Sequence, residues 1–168
     1  MSGIAQHLDS WARYMMPAVT TMFLALLNVV PLGLPGISDV TPMVTMMAVF
    51  YWSVYRPDLL PAVVVFALGL IQDILLGSPI GLMALTLLAI HGVTLTQRQA
   101  FLGKPFFVTW VGFAVISAGG FMLMWIMTCV LAADLLLTPA VLFQFILTTV
   151  SFPLAAWVFV RVHRYLVR

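Results

Sequence analysis

Apolar residues run in six long stretches along this chain, separated by short polar or Pro/Gly-rich breaks. The first covers residues 15–34 and is closed by Pro31, Pro35 and Gly36. It exceeds the about 7–15 apolar residues of a signal-peptide core, and no small-residue cleavage site ends it, so it reads as a retained membrane helix. Thr41-Pro42 opens the second helix, residues 42–55, with Thr41 as N-cap and Pro42 at the first helical position. At 1.5 Å per residue this helix covers only about 21 Å. A span normally takes about 20 residues, so the segment either sits within protein or crosses a thinned region. Asp58 is placed to cap a third helix, 59–76. Ser78-Pro79 repeats the cap-then-proline start for a fourth, 79–96. Pro105 opens a fifth, 106–132, which at about 40 Å must tilt or protrude. Gly119-Gly120 within it permit close approach or a kink. Thr138-Pro139 opens a sixth, 139–160, with Pro153 predicting a kink. The expected fold is all-α: one transmembrane domain, residues 1–168, built as a bundle of six helices.

Composition agrees with a membrane protein. Hydrophobic residues make up 64% of the 168 and charged residues 7%, against roughly 25% charged in soluble domains. The placement of the seven Lys and Arg residues is more informative than their small excess over five acids, which does not suggest nucleic acid. With the amino terminus inside and six spans, Arg13, Arg56, Arg98, Lys104, Arg161, Arg164 and Arg168 all fall in cytoplasmic segments. The outer loops, residues 35–40, 77–78 and 133–137, carry only Asp39 and Asp134 between them. This split predicts that both termini are cytoplasmic. Trp11, Trp52, Trp110 and Trp157 fall at inner helix ends, and Tyr51, Trp52 and Tyr55 together read as an interfacial aromatic belt.

One acid interrupts the apolar pattern. Asp73 lies in the third helix with Gly69 four residues before it and Gly77 four after, which places all three on one helical face. Two small residues around an acid mark a face that meets another helix closely. An intramembrane acid is costly and suggests a functional site, although one satisfied by a neighbouring donor serves as structure alone. The breaker Gly77-Ser78-Pro79-Ile80-Gly81 follows. Asp73 lies about 6 Å below the outer end of its helix, and Asn28, Thr86, Thr128 and Gln144 lie within about 6–11 Å of theirs. Gln72 points roughly 100° away from Asp73. Polar side chains in lipid turn inward, so this outer layer predicts either a shallow cavity open to the outside or a set of separate interhelical hydrogen bonds.

Catalytic chemistry has little to stand on. The chain has no glutamate, and it contains no GxSxG, HExxH or phosphate-binding loop. His91 lies about 12 Å deeper than Asp73, out of hydrogen-bond reach, and reads as a packed histidine bonded to a nearby carbonyl. Cys129, the one cysteine, reads as a small buried hydrophobe. No cofactor or metal site is expected.

The stretch PDLLPAVVVFALGLIQDILLGSPIGLMAL, with Arg56-Pro57, the Gly69–Asp73–Gly77 face and the Gly77-x-Pro79-x-Gly81 turn, resembles the MreD family of rod shape-determining proteins of the bacterial inner membrane. The resemblance extends over the small size and the six spans. It implies a non-enzymatic scaffold of cell-wall elongation that pairs with MreC, a single-span protein with a periplasmic domain. Through MreC it would link MreB filaments to RodA and its penicillin-binding partner. Membrane lipids and a second copy of the chain are further partners it leaves open. The family is similar in fold to the substrate-binding membrane components of energy-coupling-factor transporters. That similarity supplies a rival function, capture of a vitamin-type small molecule, although the short outer loops hold no aromatic-rich lid. On either reading Asp73, Gly69, Gly77, Gly81, Pro79, Asn28, Thr86 and Gln144 are the candidate partner-facing or pocket residues.

Overall fold

The computed structural model describes Thr21, residues 41–132 and residues 139–166, and only the backbone of residues 132, 139 and 162–166. Asn28, Arg13, Arg168, the expected first helix and the outer loops with Asp39 and Asp134 lie outside the described residues. Among the described residues every regular element is helical: α1 (Val44–Tyr55), a 3-10 turn (Pro57–Leu59), α2 (Ala62–Leu76), α3 (Leu82–Phe101), α4 (Phe106–Ala132) and α5 (Pro139–Leu166). Two of them, α4 and α5, are long and apolar enough to cross a membrane; α1 and α2 are shorter apolar helices.

The short helix α1 is the centre of the fold. Residues 45–54 are all buried, and α1 packs on α3, α5 and, more lightly, α4. Together α1, α3, α4 and α5 form a closed ring of neighbours, with α2 flanking α3. Inside the ring, Phe113 and Phe152 stack at 4.2 Å. Phe50 meets them edge-on at 5.2 and 5.7 Å. Tyr51 and Trp52 therefore do not form an interfacial belt: they are 5% and 2% exposed, because α1 is enclosed by protein instead of lipid. Trp157, 64% exposed, keeps a position suited to an interface anchor.

Several helix starts differ from the sequence expectation. Helix α1 begins at Val44, after the N-cap Met43, and has no side-chain cap of its own. The Met43 N–H donates to Thr148 Oγ of α5 at 3.1 Å, so a tertiary contact takes the place expected of Thr41. Asp58 does not cap α2. It is exposed in the 3-10 turn, and Pro61 holds the N-cap position. Ser78 does not cap α3 either: the N-cap is Gly81, in the left-handed region at φ 100. Helices α3 and α5 continue to Phe101 and Leu166, past the expected ends at 96 and 160.

Pro153 lies inside continuous α5. A proline leaves the carbonyl four residues earlier without its helical donor. That carbonyl, Thr149, accepts the Trp110 indole N–H from α4 at 2.9 Å. Trp110 thus serves helix–helix packing as well as lying near a helix end.

The described basic residues share one end of the bundle. Arg98 donates from Nε to the Val54 carbonyl at 2.9 Å, beside Arg56. Tyr51 stacks on Phe159 at 5.2 Å, which brings the α5 segment bearing Arg161 to that end. Lys104 lies in the α3–α4 turn at the same end. The Asp73 turn, Thr41 and Gln144 lie toward the opposite end.

Candidate functional site

The turn between α2 and α3 is built around Asp73. Helix α2 stops where Gly77 enters the left-handed region, φ 64 and ψ 24, a conformation that costs residues with a Cβ about 1–2 kcal/mol. The Ser78 N–H closes the helix end on the Asp73 carbonyl at 3.0 Å, the 6→1 bond of a glycine-terminated helix. The chain then turns, and the Asp73 side chain meets it on the far side. Its Oδ1 accepts the Ser78 hydroxyl at 2.8 Å and the Met83 N–H at 2.9 Å. Its Oδ2 accepts the Gly81 N–H at 2.8 Å. One side chain from the end of α2 therefore caps the start of α3, satisfying amide donors that the helix cannot satisfy itself. An acid there also faces the positive end of the α3 dipole. Asp73 is 0% exposed.

Gly69 explains the close approach. A Cβ at this position would lie 2.3 Å from the Ala84 Cα of α3, so the two helix backbones touch. The close-approach face meets α3 of the same chain at Gly69, while a Cβ at Gly77 would meet open space. Gly77 is thus required by backbone conformation and not by crowding. Gly81 is the second left-handed glycine of the turn. Pro79 and Ile80 lie exposed at its tip, Ile80 at 78%.

Of the rest of the outer polar layer, the described residues Thr86, Thr128 and Gln144 are satisfied separately. Thr86 and Thr128 donate to carbonyls one turn earlier, Leu82 and Met124, each at 2.8 Å, a common use of threonine in helices. Gln144 Nε donates across to the Thr41 carbonyl at 3.2 Å, next to the Thr148–Met43 bond, so α5 clamps the start of α1 from two adjacent turns. Gln72 is 2% exposed, and its Oε is without a hydrogen-bond partner among the described residues. Asp73, Gly69, Ser78 and Gly81 are thus brought together; Thr86, Thr128 and Gln144 belong to other contacts.

Among the described residues His91 has a hydroxyl, not a carbonyl, as its partner. Its Nδ1 lies 2.7 Å from Ser53 Oγ, and that hydroxyl is 2.6 Å from the Val49 carbonyl. The pair links α3 to α1 in the core. Sequence reasoning passed over Ser53 because a lone serine in an apolar run carries no spacing signal. It also passed over Gly112, where a Cβ would lie 2.1 Å from the Phe101 ring. Of the Gly119-Gly120 pair only Gly120 is crowded: a Cβ there would lie 2.6 Å from Ile90 Cδ1. Among the described residues no group of three His, Cys, Asp or Glu could hold a metal. Cys129 is a half-buried free thiol.

A family model described as rod shape-determining protein MreD matches residues 9–163. No curated protein and no solved structure matches the chain.

Proposed function

The chain belongs to the MreD family of rod shape-determining membrane proteins, and from that premise we propose that it is a non-enzymatic scaffold of cell-wall elongation. In this reading it holds an MreC-type single-span protein in the inner membrane and, through it, MreB filaments, RodA and the penicillin-binding partner. It spans the membrane six times with both termini cytoplasmic, in the manner of energy-coupling-factor substrate-binding components. The observation that carries the scaffold reading is the state of Asp73. Its two carboxyl oxygens are engaged by three donors of its own hairpin. With the side chain fully buried, those bonds commit the acid to a rigid turn instead of offering it to a small-molecule ligand. The turn holds Ile74, Leu76 and Ile80, all exposed, in fixed positions at the outer end of the bundle, an apolar edge suited to a partner helix.

The test is Ile80→Asp at the tip. Protein level should be unchanged, because the side chain touches little of its own chain, while co-purification of MreC and rod shape should be lost. Retention of both, together with stabilisation of the purified protein by a vitamin-type ligand, would favour the transporter reading instead. Orientation is tested separately, in a Cys129→Ser background. Cysteines beside Arg98 and after Arg168 should resist impermeant thiol reagents in intact cells, and one near Ser38 should react. Labelling at 98 from outside would overturn the orientation.

A further inference from the structure

An apolar groove of about 250 Å³ runs between α1 and α5, lined by Val44, Met47, Ser151, Leu154, Ala155, Val158 and Phe159. Ser151, Leu154, Ala155 and Val158 follow the i, i+3, i+4, i+7 spacing of one helical face. Arg161 follows Val158 by three residues, at the edge of that face and just past the groove's last lining residue, Phe159. The distance along α5 from Ser151 to Arg161 is about 15 Å at 1.5 Å per residue. That is one leaflet of a hydrocarbon core about 30 Å thick. The groove is smaller than the roughly 300–1,000 Å³ of a typical ligand pocket and offers a ligand almost no polar group, so it suits a hydrocarbon chain and not a folded polar molecule.

The end of the groove is different. Arg161 is exposed and forms no ion pair among the described residues. Its guanidinium lies 5.7 Å from the centroid of the Trp157 ring, and Trp157 is itself 64% exposed. A cation held over an aromatic ring, two residues beyond Phe159 at the end of an apolar groove, is complementary to a phosphate on an acyl chain. We propose that this groove is a binding site for an anionic phospholipid of the cytoplasmic leaflet, one acyl chain lying along α5 between Val44 and Phe159 and the phosphate on Arg161. The assignment to that leaflet rests on the orientation proposed above; the site itself does not. A lipid wedged there fills the open seam between the central helix and α5.

The experiment is native mass spectrometry of the full chain in detergent, titrated with phosphatidylglycerol and with phosphatidylcholine. Wild type should bind one phosphatidylglycerol more tightly than phosphatidylcholine. Arg161→Gln should weaken phosphatidylglycerol about five-fold, the equivalent of about 1 kcal/mol for one cation at headgroup level. Phosphatidylcholine binding should barely change. Ala155→Leu, which fills the groove, should weaken both lipids. Lys104→Gln, a basic residue at the same end but away from the groove, should change neither. Equal weakening by Lys104→Gln and Arg161→Gln would overturn the proposal in favour of diffuse surface charge. Wild-type binding by both Arg161→Gln and Ala155→Leu would overturn it outright, as would displacement of the lipid by a stably bound partner helix. Should Ala155→Leu fail to fold, the Arg161→Gln and Lys104→Gln comparison decides alone. Because the titration is done in detergent, a failed orientation appears in the cysteine labelling and leaves the lipid result intact.

Discussion

The Gly69–Asp73 contact of the α2–α3 hairpin and the aromatic centre enclosed by α1, α4 and α5 are both buried, but they are held by different forces. At the hairpin, Gly69 lets two backbones touch and Asp73 satisfies three donors. Each bond has one geometry, and an orphaned buried donor costs about 1–3 kcal/mol. The aromatic centre of Phe50, Phe113 and Phe152 depends on ring packing. Each ring pair is worth about 0.5–1.5 kcal/mol, and lipid tails are as apolar as the core, so burial from lipid adds little. The hairpin should therefore fail abruptly and the aromatic centre by degrees.

Substitutions in both regions test that contrast, measured as unfolding free energies in mixed detergent micelles. Asp73→Ala should have the largest effect, about 3–5 kcal/mol, since it strands the buried Met83 N–H and two partly buried donors. Asp73→Asn should cost less because one acceptor oxygen remains. A loss below about 1 kcal/mol for the alanine variant would mean that the turn stands without its acid. Gly69→Ala comes next, at about 1–3 kcal/mol of overpacking, because its neighbour is backbone and cannot rotate away. The control is Gly119→Ala, where a Cβ meets open space, and which should be neutral or stabilising by up to about 1 kcal/mol. Equal losses at 69 and 119 would remove the close-contact account.

Phe113→Leu gives up two ring pairs, with Phe50 and Phe152, and should cost about 1–3 kcal/mol, below Asp73→Ala. A loss as large as that of Asp73→Ala would erase the distinction between the two regions. Trp110→Phe should cost about 1 kcal/mol by leaving the Thr149 carbonyl unmet. That loss should shrink in a Pro153→Ala background, where residue 153 regains an N–H for the same carbonyl. An undiminished loss would show that indole packing, not the hydrogen bond, matters.

The parts of this architecture that depend on local information are legible in the sequence. Apolar run length marks the helices. Gly77 and Gly81 mark the turn because only glycine adopts positive φ there without strain. The clustering of Arg56, Arg98 and Lys104 between runs anticipates their meeting at one end. The importance of Asp73 is also legible, since a single acid in an apolar helix must find donors. Its donors are not: a cap supplied from the preceding helix, ten residues before Met83, has no local signature, whereas Ser78-Pro79 has the local form of a cap and does not serve as one.

Except on α2, where Gly69 and Asp73 mark the face that meets α3, the tertiary structure decided which side of a helix looks inward. In a soluble helix a polar stripe reveals that rotation, but α4 carries only scattered polar residues, Thr109, Ser117 and Thr128, and no polar stripe. So Gly112 and Gly120 face neighbours while Gly119 does not, Trp52 lies in the core while Trp157 lies outside, and Thr148 reaches Met43 while Thr86 bonds its own helix. Chain-local chemistry placed the starts of the described helices to within three residues, while α3 and α5 run five and six residues past their expected ends. Their rotation and pairing are set by the fit of side chains across interfaces, between residues as far apart as Thr41 and Gln144.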